Sequence, residues 1–555
     1  MPRLSMQNLI MGSTALIAVL LVLYPVFFVV QVSLNVGDPG SRVITDYGFE
    51  NYGDIWRNLG WLGNTFLVAV PSTLVAVAAG GMLAWIIHRT NVPMASVLDQ
   101  LVLMPFYLTP LVGALAWNIL GTPTSGLINI FWRGLTGLEG PLVNMNSVSG
   151  IVWVNALYEG AVAYAIITGA MKSMDPSLEE SSQVLGAGKF QTLRNITFPL
   201  LRPALVGATA LVFAEMLSSF SAALILGAPI NFYVVTTRMY QLLAGYPADY
   251  PAAASLGIAL SFFTSVAVWV YAWSIRGGSF VTVTGKAFRS RTIQFGAIRW
   301  LLLGFGVLYV FLSLFLPVAA LVYASFLRFT TTILADAVFT LNNYRVVFAN
   351  AATRTAIENS VILAFGTATI GVFFMTILSW VIYRTKVPGR ELLEYVVMVP
   401  NGIPRIVFAL GLLWAWIVIP IGVYGTLWLL LIAYITVSLP LGVRAISAVL
   451  LQLDRSLEES ARVCGASWVK TMVTVTMPLL KPGLLSAWML LFIVSVREVA
   501  ASVLLVSANN KVIGPAIVGS WEVSGTQITA ALSIIQSLIV LLVLLVVRRL
   551  TRQAS

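Results

Sequence analysis

Charge is the scarcest ingredient of this sequence. Of 555 residues only 10% are Asp, Glu, Lys or Arg, where a soluble domain carries roughly 25%. So few charges cannot cover a water-facing surface, which excludes a soluble enzyme, a nucleic-acid binder and a disordered scaffold. Histidine and cysteine are scarcer still, with one of each. Cys464 alone forms no internal disulfide, and one thiol with one imidazole cannot build a His/Cys metal site in a single chain. Proton relays through clustered histidines are excluded on the same count. A nucleotide-binding loop is missing as well. Gly285-Lys286 looks like the end of one, but Ala287 stands where Ser or Thr is needed and Phe280 replaces the leading Gly.

What the sequence has in abundance is apolar residues, at 59%, with a mean hydropathy of +0.92. A membrane-crossing helix needs about 20 of them in a row. Twelve runs qualify, near residues 9–33, 62–88, 97–120, 149–170, 202–227, 252–275, 299–327, 354–383, 391–419, 423–447, 480–507 and 527–547. They are too long for barrel strands, so they read as helices. The first run is longer than a signal-peptide core and no small-residue cleavage site follows it, so it reads as a retained span. The net charge of +11 then describes the flanks of the spans. Arg3, His88, Arg89, Lys172, Lys189, Arg194, Arg276, Lys286, Arg384, Lys386, Arg444, Arg455, Lys470, Arg548 and Arg549 all fall on one side if both termini are cytoplasmic. Asp38, Asp46, Glu50 and Asp54 fall on the other. The positive-inside rule is met with an even number of spans.

The chain repeats itself. Asn64-Thr65 opens a segment that ends His88-Arg89-Thr90-Asn91-Val92-Pro93, and Asn359-Ser360 opens one that ends Tyr383-Arg384-Thr385-Lys386-Val387-Pro388, at an offset of 295. Phe49-Glu50-Asn51-Tyr52 is echoed by Leu341-Asn342-Asn343-Tyr344. Further on, the segment from Asp175 matches that from Asp454 at 16 of 31 positions, at an offset of 279. The first copy therefore holds about 16 extra residues, placed in the Gly-rich stretch around Gly121–Asn146. Six spans per copy put both copies the same way up, as parallel repeats about an axis along the membrane normal. The division falls at 1–285 and 286–555.

The best-matched segment lies outside the spans, near 175–200 and 454–479. Asp175 can cap a helix with Pro176 in its first turn, and Gly186 can take the left-handed conformation that ends it. A second short helix then runs to Pro199, giving helix–Gly turn–helix in each copy. A structural hairpin explains one such loop. Two, matched more closely than the spans around them, point to two docking points on a two-fold partner.

The pattern Glu-x-x-x-x-x-Gly, then Ile or Val ten residues on and Pro three further, resembles the loop signature of binding-protein-dependent ABC importer permeases. It stands here as Glu180, Gly186, Ile196, Pro199 and as Glu459, Gly465, Val475, Pro478. The family's two alanines after the Glu are Ser181-Ser182 and Ser460-Ala461, still small. The resemblance implies an all-α membrane protein of the type I importer class, twelve helices in two six-helix repeats. It implies that the two loops are coupling helices seated in clefts of two cytoplasmic ATPase subunits, with Glu180 and Glu459 paired to basic residues there. It implies a periplasmic binding protein outside and a bacterial inner-membrane location. It assigns the chain no catalytic residues, no cofactor and no resident metal, and ATP hydrolysis to separate subunits. The two-in-one chain resembles the fused permeases of ferric-iron importers, through Val281–Lys286, Arg497-Glu498 and Ala501–Leu505. Thiamine, phosphonate and polyamine permeases are the alternatives for cargo. An ion-gradient-driven carrier is the alternative for class, but it has no need of paired docking loops.

Ionisable residues deep in a span usually face the bundle interior or a water-filled path. Glu159, Glu215, Arg497 and Glu498 qualify. Arg497 and Glu498 are neighbours on one helix and point about 100° apart, so at least one needs a partner from another helix, for which Glu215 and Glu159 are the candidates. A polar gate along the transport path and a static ion pair both fit. Pro105, Pro110, Pro400 and Pro404 fall in spans three and nine, where they either kink a helix lining a path or end regular segments. Ser218, Ser219 and Ser221 suit close helix packing. His88 reads as part of a basic flank, and the 16 Trp read mostly as interface anchors.

Overall fold

The computed structural model describes residues 6–39, 44–57, 59–175, 177–276, 293–331, 333, 336–418 and 422–554. Arg3, Pro176, Lys286 and the Val281–Lys286 motif lie outside them, as does the 285/286 boundary. Among the described residues there are helices and three isolated bridges, and no strand. Ten helices are long and apolar enough to cross a membrane: Leu9–Ser33, Gly60–Arg89, Val148–Ser173, Phe190–Leu217, Tyr250–Ser274, Ile298–Phe326, Ala351–Arg384, Leu427–Leu450, Trp468–Val496 and Thr526–Val547. Two more expected spans are present as bent pairs. Ala95–Tyr107 meets Pro110–Gly121 at 95°, and Arg390–Gly402 meets Arg405–Val418 at 108°. Numbered in chain order with the bent pairs as three and nine, they are spans one to twelve.

The bends have a local cause. Proline cannot donate a backbone hydrogen bond, and its ring excludes the carbonyl four residues earlier. At Pro105 and Pro400 the α-helix tightens into 3-10 turns, Met104–Tyr107 and Val399–Gly402. Pro110 then starts the second arm of span three, whose N-cap Thr109 accepts from the amide of Val112. Each second arm is apolar all round and buried all round, Leu111–Trp117 in one copy and Ile406–Ala415 in the other.

Spans five and eleven differ from expectation at both ends. They start at Phe190 and Trp468, and they stop at Leu217 and Val496, ten or so residues short of the apolar runs. Pro199 and Pro478 do not end a short helix, because the helix runs straight through them. A π turn precedes each, Leu193–Thr197 and Met472–Thr476. Span seven has the same device, Phe311–Phe315 before Pro317. Widening the turn carries the offending carbonyl away from the ring, so the helix absorbs the proline without breaking.

The chain forms two compact units, one of residues 1–57, 239–261 and 344–555, the other of 58–238 and 262–343. In the first unit, span one packs against spans eight, nine and ten of the other repeat. A side chain at Gly411 would strike the Pro25 carbonyl at 2.3 Å, so the backbones of spans one and nine touch. In the second unit, span seven packs against spans three and four, and the Tyr309 hydroxyl donates to the Leu157 carbonyl at 2.7 Å. Repeat and compact unit are thus different sets of residues: the first unit takes span one and residues 239–261 from the first repeat, and the second takes span seven from the second.

Close packing within each unit uses small residues, as apolar solvent requires. At Gly80 an added Cβ would lie 2.7 Å from the Gly160 carbonyl, so spans two and four meet backbone to backbone. The second repeat reverses the fit. Met375 occupies the position of Gly80 and fills the space above Gly442.

The remaining repeat motifs hold the span ends. The Asn51 amide donates to the carbonyls of Ser33 and Asn35, and that of Asn343 donates to Ser325 and Leu327, which closes the last turns of spans one and seven. Asn64 donates to Tyr233 while Thr65 accepts from Val235; Asn359 donates to Lys511 while Ser360 accepts from Ile513.

Candidate functional site

The paired loops fold as their spacing predicts up to the glycine. Asp175 and Asp454 each accept from the amide two residues on, Ser177 and Ser456, both at 2.9 Å. Helices Ser177–Val184 and Arg455–Val463 follow. Gly186 at φ +88° and Gly465 at φ +82° turn the chain, and the amides of Ala187 and Ala466 reach back to the carbonyls of Ser182 and Ala461. A residue with a Cβ is strained at that φ, which is why the turn takes glycine. Asp454 is fully solvated, and the Ser456 amide holds its carboxyl below the ordinary range.

The tips are apolar and exposed: Val184 at 86%, Leu185 at 87% and Phe190 in one loop, Val463 at 87% and Cys464 in the other. In each loop these apolar side chains stand out to solvent at the end of a short, largely polar helix. Glu459 is exposed beside its tip, while the side chain of Glu180 lies outside the described residues. The preceding glutamates, Glu179 and Glu458, are buried. Sequence reading passed over both, although the Glu-Glu doublet recurs in the two copies.

Within the spans, Glu498 finds a partner that sequence reading missed. It is 5% exposed, and Arg405 donates to its Oε2 at 2.7 Å, while the Ala501 amide donates to Oε1 at 2.9 Å. Arg405 is the first residue after the bend of span nine, at the helix N-terminus, where a cation is disfavoured unless an anion sits beside it. The expectation that at least one of Arg497 and Glu498 pairs with another helix is met by Glu498, through Arg405 of span nine rather than through Glu215 or Glu159. The available signal was a cation following Pro404 in the middle of an apolar run. Nearby, Tyr434 and Ser502 share a hydrogen bond of 2.6 Å, and Ser502 donates to the Glu498 carbonyl. The equivalent place in the first repeat is neutral, with Ser219 donating to Asn155. Glu159 and Arg497 are half-buried, and Glu215 is exposed near the end of span five. Among the described residues no three His, Cys, Asp or Glu side chains converge as metal ligands.

His88 belongs to more than a basic flank. Its Nε2 lies 3.3 Å from the Tyr164 hydroxyl, which donates to Asp99 at 2.6 Å, and Lys172 reaches the other Asp99 oxygen at 3.4 Å. In the second repeat Tyr383, at the position of His88, donates directly to Glu394, at the position of Asp99.

Residues 15–277 and 383–554 match the family of binding-protein-dependent transport system inner membrane components. The chain belongs to that family. This inner membrane component is 34% identical to a putative ferric transport system permease protein of Haemophilus influenzae, over 66% of its own length and 57% of the relative's. It is 34% identical to the ferric transport system permease protein of Actinobacillus pleuropneumoniae, over 66% of its own length and 53% of the relative's. The chain thus spans little more than half the length of these two. A second Haemophilus influenzae relative, an Fe(3+)-transport system permease protein, is 24% identical over 85% of both chains.

Proposed function

We propose that this chain is the membrane-spanning subunit of an ATP-driven importer and that its cargo is ferric iron, delivered by a periplasmic binding protein. The observation that carries the reading is the pair of capped, glycine-turned loops with exposed apolar tips, one per repeat. Two like tips on one chain fit two like ATPase subunits, with Glu180, Gly186 and Pro199 in one contact and Glu459, Gly465 and Pro478 in the other. The names of the ferric relatives support the cargo. Both termini are cytoplasmic and the location is a bacterial inner membrane. The repeats 1–285 and 286–555 supply one loop each.

In this mechanism ATP binding closes the ATPase dimer and draws the two loops together. Spans five and eleven run without a break from the loops, for 28 and 29 residues, so they carry that motion into the membrane. At their far ends lie Glu215 in one repeat and Arg497 and Glu498 in the other, which together with Glu159 line the path. Cargo leaves the binding protein for this path, and hydrolysis restores the inward state. No residue of the chain performs chemistry on the cargo.

The test is purification of the tagged chain in mild detergent, followed by uptake of radioactive ferric iron in cells. Two P-loop ATPase copies per chain support the importer reading, and none under conditions where the chain stays folded refutes it. Uptake of thiamine, a polyamine or a phosphonate in place of iron replaces the cargo alone. Glu180→Ala with Glu459→Ala should uncouple hydrolysis from uptake without preventing membrane insertion.

A further inference from the structure

Three residue types recur around the two loops in the same register. Arg89, Glu179 and Thr197 in the first repeat correspond to Arg384, Glu458 and Thr476 in the second, at the repeat offsets of 295 and 279. The three positions surround the loop's attachment: the arginine ends span two or eight, the glutamate lies on the loop helix, and the threonine sits in the π turn that opens span five or eleven.

In the first repeat the trio is assembled. Thr197 donates to Glu179 Oε1 at 2.6 Å, and Arg89 lies 3.6 Å from Oε2 while donating to the Met171 carbonyl at 3.1 Å. Arg89, Glu179 and Thr197 are all buried. In the second repeat it is not. Glu458 turns to Arg462 of its own helix, at 3.7 Å. Arg384 instead donates to the carbonyls of Leu450 and Leu453, beside Asp454. Among the described residues the buried Thr476 hydroxyl has no hydrogen-bond partner. A buried hydroxyl without a partner is costly and calls for a reason. The same residues with two arrangements supply one.

We propose that Arg, Glu and Thr form a latch fastening the loop helix to the membrane helices, closed in the first repeat, open in the second, and that the second closes during transport. Closing moves Glu458 from Arg462 to Thr476 and Arg384, which ties the loop to span eleven at its π turn. A widened turn tolerates such a shift better than a regular one. The latch rests on the importer reading, since the force that closes it comes from the ATPase.

Thr476→Val separates the two uses of the residue. Valine has nearly the same shape, and at rest the hydroxyl bonds nothing, so the thermal unfolding midpoint of the resting chain should stay where it is or rise. If the hydroxyl meets Glu458 in the cycle, ATP hydrolysis by the chain with its co-purified ATPase in nanodiscs should fall about tenfold, the equivalent of about 1.4 kcal/mol. Thr476→Ser should restore it. Thr197→Val, by contrast, should lower the midpoint as well as the rate. Wild-type hydrolysis in Thr476→Val overturns the latch and leaves the importer reading intact. A wild-type chain that brings no ATPase with it overturns both.

Discussion

Removing Arg405 should cost more than removing both members of its ion pair. Glu498 is 5% exposed and Arg405 39%, with 2.7 Å between them. Arg405→Met leaves the carboxylate buried with only the Ala501 amide for support. Breaking a buried pair from one side costs about 3–5 kcal/mol, and partial exposure of the guanidinium argues for the lower end, about 3 kcal/mol. That is about a hundredfold in the unfolding equilibrium. Arg405→Met with Glu498→Gln leaves no charge behind. The glutamine oxygen still accepts from Ala501, so the double variant should recover most of the loss. The assay is reversible unfolding of the chain in bicelles, for wild type, both single variants and the double. If Arg405→Met unfolds like wild type, or if the double variant is no better than Arg405→Met, the pair does not hold the bend of span nine in place.

Three other expectations are independent of that pair. At Gly113 an added Cβ would lie 2.2 Å from the Tyr158 ring, so Gly113→Ala should destabilise by about 1–3 kcal/mol and Tyr158→Leu should relieve it, both read from thermal midpoints. Asn343→Ala strips two hydrogen bonds from the end of span seven and should cost about 1–3 kcal/mol, whereas a change within error means that water replaces the amide. The Asp454 carboxyl is held below its ordinary value of 3.8 by the Ser456 amide, so its cap is complete above that value and is lost as pH falls through the lower, folded one. Amide exchange over Arg455–Val463, corrected for intrinsic rate, should rise under such acid and already be raised in Asp454→Ala at pH 6; equal protection of wild type at both pH values contradicts the cap.

Much of the fold is legible in the sequence because the membrane imposes it. The apolar runs that become spans follow from the cost of exposing backbone polar groups to lipid. Asp175, Gly186 and their copies could be placed because caps and left-handed turns have local signatures. The ends of spans five and eleven could not. The run to 227 continues with small and apolar residues after the helix stops at Leu217, and Pro199 looks like a terminator because nothing local announces the π turn before it. Arg405 was hidden by a different rule: a cation inside an apolar run draws notice only once the bend gives it a neighbour. The buried Glu179 and Glu458 were hidden by their better-known neighbours Glu180 and Glu459. Which helix packs on which was not legible at all, since spans one and seven are apolar on several faces and pair with residues hundreds of positions away.

That exchange of first spans has a consequence for how the chain is made. Span one is synthesised well before spans eight to ten, on which it packs, so it must wait in the bilayer while several hundred further residues are made. The first repeat is likewise incomplete until span seven, which belongs to the second, has been inserted. Neither repeat owns all the residues of a finished unit, and severing the chain between them would leave the first fragment with span one and residues 239–261 of the other unit and without span seven. Covalent fusion therefore guarantees that the two exchanged helices are always delivered together, in equal number and to the same patch of membrane.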